Sequence, residues 1–182
     1  MHITTRKLTA AAVTGAAYAA LTMLLAPISY GAIQCRVSEV LCILPFFIPC
    51  TAWGLFAGCA IANLLSAAGI FDVVFGSLAT LLAALCTAWL GRGRGAQSWA
   101  RCILAALMPV VFNFVFVGAV LTWSLTDAAF PHLNASFWIF GGQVALGEAV
   151  VLGALGLPLM RLLPHNPKFR EIIRSYQKED GA

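Results

Sequence analysis

Charged residues are scarce in this sequence. Of its 182 residues, 11 are Lys or Arg and 7 are Asp or Glu, and residues 8–34 and 40–70 contain none of these. Apolar residues make up 61% of the chain, compared with about 45–50% in soluble globular domains. Uncharged apolar runs of roughly 18 or more residues are typical of transmembrane helices. The composition therefore excludes a soluble protein and predicts a single all-α integral membrane domain, in contact with membrane lipid.

Sequence motifs for catalysis, metal binding and nucleotide binding are also missing. The chain has no GxxxxGK[ST] phosphate loop, no HExxH zinc motif and no GxSxG nucleophile motif. Its six cysteines show no CxxC spacing, so neither a metal site nor a redox motif is predicted. We therefore expect no catalytic residues and no cofactor bound by this chain. An ATP-driven process would use ATP and Mg²⁺ in partner subunits.

The basic residues lie near the ends of the apolar segments. They gather at Arg6 and Lys7, at 92–101 and at 161–178. The net charge of +4 therefore indicates the positive-inside bias of membrane proteins. It does not indicate a nucleic-acid partner.

The segment 37–65 has two interpretations. As one helix it would be about 43 Å long, more than the ~30 Å hydrocarbon core of a bilayer, and Pro45 and Pro49 interrupt it. It is therefore either one tilted span or two short helices. Two helices place all three basic clusters on the cytoplasmic side. We predict a six-helix bundle with both termini cytoplasmic and a short or partly re-entrant second helix. The predicted spans are 8–27, 37–48, 51–66, 72–90, 99–124 and 135–163, followed by a cytoplasmic tail at 164–182.

The first predicted helix carries two stripes of small residues at four-residue spacing. They are Ala12, Ala16 and Ala20, and Ala11, Gly15 and Ala19. Small residues at this spacing let another helix approach closely. The stripes indicate either packing inside the bundle or contact with a partner subunit.

Polar residues in and beside the apolar segments are the candidates for ligand binding, because an ionisable side chain in a bilayer costs about 2.5–3.5 kcal/mol on insertion scales. Glu148 is the strongest candidate, with an interhelical hydrogen bond as the alternative. Arg36 and Glu39 either pair with each other or contact the ligand. Asp72 either caps a helix or joins the site. The remaining candidates are Asn113, which alternatively joins two helices, Asn63, Gln34, Tyr30 and Gln143, which ranks lower because it points about 140° away from Glu148.

A series of motifs follows the chain in unbroken order from residue 8 to residue 163. They include Ala26-Pro-Ile-Ser-Tyr-Gly-Ala-Ile-Gln-Cys-Arg-Val-Ser-Glu39, Gly54-Leu-Phe-Ala-Gly-Cys59, Asp72-Val-Val-Phe-Gly76, Pro109-Val-Val-Phe-Asn113 and Gly147-Glu148. Together they resemble the queuosine-precursor transporter family of the QueT type. That family provides the substrate-binding S component of energy-coupling-factor (ECF) transporters. The resemblance thus implies a six-helix bundle of S-component type in a bacterial cytoplasmic membrane.

The resemblance also implies partners and a ligand. The partners are a transmembrane coupling subunit, which meets the small face of the first helix, and two ABC-type ATPase subunits. The ligand is a 7-deazaguanine, such as the 7-aminomethyl precursor or queuine. Carboxylates would accept its N–H groups, amides or a guanidinium would donate to its O6, and an aromatic ring would stack on it. The implied partner face is Ala12, Gly15, Ala16, Ala19 and Ala20. The ligand contacts are our hypothesis from the chemistry of such a ligand: Glu148 and Glu39 as acceptors, Asn63, Asn113 and Arg36 as donors, and Tyr30 or a Phe as the stacking ring.

Two other functions stay open on the residues alone. One is a stand-alone secondary carrier for a small polar or nucleobase-like solute, with Glu148 as a proton relay. The other is an intramembrane enzyme that uses Arg36, Glu39 and Asp127. The absence of a nucleophile–base pattern weighs against the enzyme.

Overall fold

The computed structural model describes residues 4–30, 34–66, 68–92, 98–126 and 135–180, with side chains up to residue 176. These residues form helices and turns and contain no strand. A helical turn, Ala26–Ser29, follows the first helix. We number the helices α1 (Thr5–Leu24), α2 (Thr51–Asn63), α3 (Asp72–Leu90), α4 (Trp99–Thr126), α5 (Ala135–His165) and α6 (Pro167–Asp180), and we call Val37–Phe46 the 3₁₀ helix.

Four of the described helices, α1, α3, α4 and α5, are long and apolar enough to cross a membrane. Their mean hydropathy ranges from 1.2 to 2.4. The other two apolar helices are shorter, with 10 residues in the 3₁₀ helix and 13 in α2. The predicted all-helical bundle is therefore confirmed, with four helices that fit a membrane-spanning bundle. The number of six spans stays a prediction.

The 3₁₀ helix is unusually long, because such helices rarely exceed three or four residues. Pro45 lies inside it. With three residues per turn, residues three positions apart share one face. Glu39 and Cys42 therefore lie on one face of the 3₁₀ helix, Arg36 precedes the helix in extended backbone, and all three are buried. Together they place a cation, a carboxyl group and a thiol in the interior of an otherwise apolar bundle.

A seam of small residues joins α1 to α2, and we call it the α1–α2 seam. Gly54 faces the backbone carbonyl of Ala11, and Gly58 faces that of Gly15, so closely that an added Cβ at either glycine would clash. Ala19 is also buried. Small residues allow this direct contact of two helix backbones. One of the two stripes on α1 is thus used by packing within the chain.

The 3₁₀ helix ends in an apolar cluster that we call the base. The rings of Phe47 and Phe169 pack edge to face, with centroids 5.5 Å apart. The hydroxyl of Tyr176 donates a hydrogen bond to the carbonyl of Arg6 at 3.3 Å. The base therefore holds α6 against the start of α1 and the end of the 3₁₀ helix. Its buried members include Ile43, Phe46, Phe47, Cys102, Ala105, Leu152, Met160 and Tyr176.

Two π-helical segments interrupt the long helices. Asp72–Gly76 opens α3, and Leu152–Gly156 lies within α5. Such segments are rare and frequently occur at functional sites. Asp72 is the first residue of one segment, and Glu148 precedes the other by four residues. Both irregularities therefore adjoin buried carboxylates.

Candidate ligand-binding site

The segment 34–39 leads into the 3₁₀ helix and meets three other helices. The backbone of Gln34 lies against Gly147 of α5, in a contact that leaves no space for a Cβ at this glycine. Two residues later, Arg36 reaches Asp72 at the start of α3. Glu39 reaches Tyr18 of α1. This segment therefore brings polar groups from distant parts of the sequence together. We call the buried residues Arg36, Glu39, Asn63, Asp72, Asn113 and Glu148 the polar centre.

Arg36 forms an ion pair with Asp72 across the polar centre. Nη2 of Arg36 lies 3.4 Å from Oδ2 of Asp72, and both side chains are almost completely buried. The predicted alternative, in which Arg36 pairs with Glu39, is wrong. The predicted capping role of Asp72 is wrong as well, because Phe71 occupies the capping position and Asp72 lies in the first turn. Asp72 is thus free to turn its carboxylate toward Arg36.

Two further predicted residues surround this ion pair. Nδ2 of Asn63 donates to the backbone carbonyl of Asp72 at 2.9 Å. The guanidinium of Arg36 lies over the ring of Tyr30, 5.5 Å from its centroid. The hydroxyl of Tyr30 donates to the carbonyl of Ala62 at 2.6 Å. These contacts hold the end of α2 and the end of the turn after α1 close to the guanidinium of Arg36.

Glu39 is held at both oxygens of its carboxyl group. The hydroxyl of Tyr18 donates to Oε1 at 2.5 Å, and the thiol of Cys42 donates to Oε2 at 3.0 Å. The second bond follows from the 3₁₀ geometry, which aligns residues three positions apart. Glu39 therefore has a protein partner on each oxygen.

Glu148 is held at one oxygen. Nδ2 of Asn113 in α4 donates to Oε1 of Glu148 in α5 at 2.5 Å. The carboxyl group is also within electrostatic range of both Glu39 and Arg36. The predicted alternative of an interhelical hydrogen bond is therefore confirmed for both Glu148 and Asn113. This bond leaves the second oxygen of Glu148 available.

Several polar atoms of the polar centre have no hydrogen-bond partner, although they are shielded from solvent. They are Nε of Arg36, Oδ1 of Asn63, Oδ1 of Asp72 and Oε2 of Glu148. Buried polar groups without partners cost about 1–3 kcal/mol each, and native structures contain few of them. One donor and three acceptors at the same centre are the arrangement expected of a site whose partner is a polar ligand.

The other predicted contact residues lie beside the polar centre. The side chain of Gln34 is buried, and its backbone makes the contact with α5. Gln143 is half-buried and, within the described part of the chain, makes no hydrogen bond to the polar centre. Asp127, the third member of the enzyme hypothesis, lies outside the described residues.

Sequence reasoning missed a group of residues that support the polar centre. The sulfur of Cys59 in α2 accepts hydrogen bonds from Thr80 at 3.2 Å and Asn63 at 3.4 Å, and it lies 3.7 Å from the hydroxyl oxygen of Tyr18. One feature of the sequence could have singled out Tyr18, because it is the single aromatic residue of α1, whose other side chains are small, aliphatic or polar. No feature of the sequence singles out Cys59, because a buried cysteine usually acts as a small hydrophobe.

An aromatic cleft lies apart from these polar groups, between the start of α3 and α4. Its volume is about 320 Å³. The rings of Phe71 and Trp123 pack edge to face within it. The residues that line it are apolar or aromatic, so it offers few hydrogen bonds to a polar ligand. They are Phe71, Phe75, Val115, Phe116, Ala119, Val120 and Trp123.

The predicted partner face of α1 is divided by the structure. Gly15 and Ala19 are buried, Gly15 in the α1–α2 seam, whereas Ala12, Ala16 and Ala20 are exposed. The exposed stripe alone is therefore accessible to another subunit.

The long apolar helices indicate a multi-pass membrane protein, and the buried polar centre is its candidate site for a polar ligand. The chain belongs to the QueT transporter family, whose model matches residues 8–165. Membership of a transporter family assigns the chain to transport rather than to catalysis. Neither the curated proteins nor the solved structures that were compared with the chain match it.

Proposed function

We propose that this chain is the substrate-binding S component of an ECF-type importer and that its substrate is a queuosine precursor of the 7-deazaguanine class. The observation that carries the proposal is the set of unpartnered polar atoms at the polar centre. A 7-deazaguanine has a carbonyl oxygen that accepts and ring and amino N–H groups that donate. One free donor and three free acceptors complement such an edge. A site of this kind also rejects ligands that would leave its polar groups unpaired.

The proposed orientation has six spans with both termini on the cytoplasmic side. The base supports it, because the basic clusters of the sequence meet at this end. The guanidinium of Arg6 lies 5.0 Å from the ring centroid of Tyr176 in α6. The guanidinium of Arg161 lies 4.1 Å from that of Trp99, at the start of α4. Basic residues at one end of a membrane bundle mark its cytoplasmic side.

The proposed partners are a transmembrane coupling subunit and two ABC-type ATPases. The exposed stripe of Ala12, Ala16 and Ala20 supports a helix-to-helix contact with the coupling subunit, since small residues let helices approach closely. In this arrangement ATP and Mg²⁺ bind the ATPases and the S component binds the substrate.

Binding to the purified chain tests the substrate. We expect the 7-aminomethyl compound or queuine to bind in detergent or nanodiscs, measured by isothermal titration calorimetry, and guanine to bind at least tenfold more weakly. The matched control is Gly142→Ala, because Gly142 has open space around it and the change should leave affinity unaltered. Equal binding of guanine, or no binding of any deazaguanine, would remove the substrate from the proposal.

Assembly tests the partner. Ala16→Leu places a larger side chain on the exposed stripe, and we expect it to prevent co-purification with the coupling subunit while ligand affinity stays within threefold. Val150→Leu is the control, because Val150 is exposed on α5, a different helix from the one that carries the stripe. Unchanged assembly of Ala16→Leu would contradict the proposed face.

A stand-alone carrier is the second candidate, and the electrostatic proximity of Glu39 and Glu148 favours it, because paired carboxylates in a membrane serve as proton relays. Uptake into proteoliposomes that contain this chain alone, driven by a pH gradient, would establish it. Uptake that requires the ATPases and ATP would establish the S component instead.

A further inference from the structure

The carboxyl groups of the polar centre differ in what neutralises them. Asp72 is paired with the guanidinium of Arg36 at 3.4 Å. Glu39 has neutral partners, and both of its oxygens are occupied. Glu148 has a neutral partner, Asn113, on one oxygen only. Among the residues that the structure describes, Glu148 thus combines a carboxyl group that has no cationic partner with a free acceptor atom.

The numbers of acidic and basic groups at the polar centre are unequal. Three buried carboxyl groups share one buried guanidinium there. A buried carboxylate without a cationic partner is strongly disfavoured, and the penalty falls when a cation arrives. The excess of carboxyl groups therefore favours a ligand with a positive charge.

The other free atoms have a different character. Nε of Arg36, Oδ1 of Asn63 and Oδ1 of Asp72 have no partner, and they belong to residues joined by the contacts around the ion pair. One donor beside two acceptors matches a planar edge in which a carbonyl oxygen lies next to N–H groups. These atoms do not favour an isolated cation, since Asp72 is already neutralised by Arg36.

From these observations we propose that the polar centre has two subsites with different specificities. Glu148, oriented by Asn113, binds the ammonium group of a cationic ligand, and Arg36, Asn63 and Asp72 bind the carbonyl and N–H edge of its heterocycle. Glu39 is a positioning residue that fixes the 3₁₀ helix to α1. The inference rests on the proposed function and deepens it, because it makes the substrate a cationic deazaguanine rather than a neutral one.

A double comparison of protein and ligand tests the proposal. The ligands are 7-aminomethyl-7-deazaguanine, which is cationic, and 7-cyano-7-deazaguanine, which is neutral and of similar size. The wild-type chain should bind the aminomethyl compound at least tenfold more tightly. Glu148→Gln keeps the shape and removes the charge. We expect it to lower that preference at least tenfold and to leave affinity for the cyano compound within threefold.

Two further variants separate the subsites. Asn63→Ala should weaken the binding of both compounds by similar factors, because it removes an acceptor for the heterocycle edge that the two compounds share. Glu39→Gln should change the preference less than threefold, since both oxygens of Glu39 already have partners. The proposal would be overturned if Glu148→Gln weakened the binding of both compounds equally. It would also be overturned if Asn63→Ala or Glu39→Gln changed the preference for the aminomethyl compound more than Glu148→Gln does.

The controls distinguish this inference from the proposed function. If wild-type protein binds the cyano compound as tightly as the aminomethyl compound, the cationic subsite is wrong and the deazaguanine substrate stands. This comparison uses the wild-type protein alone, so it tests the proposal even if the Glu148→Gln variant cannot be produced in folded form. If wild-type protein binds neither compound, the substrate itself is wrong and the two-subsite assignment is overturned with it.

Discussion

The two ends of the 3₁₀ helix have different surroundings. At its beginning, Arg36 and Glu39 are buried among hydrogen-bonding groups. At its end, Phe46 and Phe47 are buried among apolar side chains. The side chains of the apolar end pack against one another and against other apolar residues of the chain. At the polar end Nε of Arg36 has no partner, and Oδ1 of Asp72 and Oδ1 of Asn63 beside it have none either. On the proposed function, the same element therefore contributes to stability at one end and to ligand binding at the other. The four predictions below test this division.

The largest effect is expected at the polar end. Arg36→Met should destabilise the fold by about 3–5 kcal/mol, because removing one partner of a buried ion pair leaves the Asp72 carboxylate unpaired. Ligand binding should be lost. Unfolding by SDS in mixed micelles measures the stability, and calorimetry measures the binding.

The double variant Arg36→Met/Asp72→Leu sharpens this test. Replacing both members of a buried ion pair with apolar residues is often neutral or stabilising, so stability should recover while binding stays absent. A double variant as unstable as Arg36→Met would show that the ion pair stabilises the fold and that the division is wrong.

At the apolar end, Phe47→Ala should cost about 3 kcal/mol through the cavity that it leaves. Phe47 packs against Phe46 and Phe169, with ring centroids 5.2 and 5.5 Å away. The ligand affinity of the folded protein should stay within threefold of the wild-type value. Leu146→Ala is the control, because this exposed residue should change stability by only about 0.5 kcal/mol. A large loss of affinity in Phe47→Ala would connect the two ends.

A smaller effect is expected beside the polar centre. Thr22 and Ser38 share a hydrogen bond of 2.6 Å between α1 and the 3₁₀ helix. Thr22→Val should cost about 1 kcal/mol, because it leaves the Ser38 hydroxyl buried without this partner. Thr9→Val, at an exposed position with a local hydrogen bond only, is the matched control. Equal losses in the two variants would argue against a role of the Thr22–Ser38 bond in joining these helices.

The smallest effect is expected in α6. Tyr176→Phe removes the hydrogen bond to the carbonyl of Arg6 but keeps the ring beneath the Arg6 guanidinium. We expect a loss of about 0.5 kcal/mol, the low end for one hydrogen bond, and no change in ligand affinity. The same SDS titration measures it, and a loss as large as that of Phe47→Ala would make the hydroxyl a principal contact of the base.

Hydropathy and charge predicted the positions of the helices well, because these depend on local composition. The predicted span 72–90 coincides with Asp72–Leu90, and 37–48 differs from Val37–Phe46 by two residues. The 3₁₀ hydrogen bonding and the π segments were not predicted. Their geometry depends on contacts with the rest of the fold, and the sequence pattern contains no local signal for them.

The burial of the polar residues could be predicted better than their contacts, and their role in ligand binding stays a prediction. Arg36, Glu39, Asn63, Asp72, Asn113 and Glu148 were all named from their polarity in apolar surroundings, and all are buried. Which carboxylate pairs with Arg36 is a tertiary property. Asp72 is 36 residues away along the chain, whereas Glu39, the predicted partner, lies three residues away and turns instead to Tyr18 and Cys42.

The α1–α2 seam also has a mechanical consequence. Layers of side chains can change rotamers and absorb a displacement, but two backbones in direct contact have nothing between them to deform. Gly15, Gly54 and Gly58 make the seam a contact of this kind. A push on the exposed stripe of α1 is therefore transmitted without slack to α2, which carries Cys59 and Asn63. Along this line, the outer surface of α1 and the residues of α2 beside the polar centre therefore move together as one rigid unit.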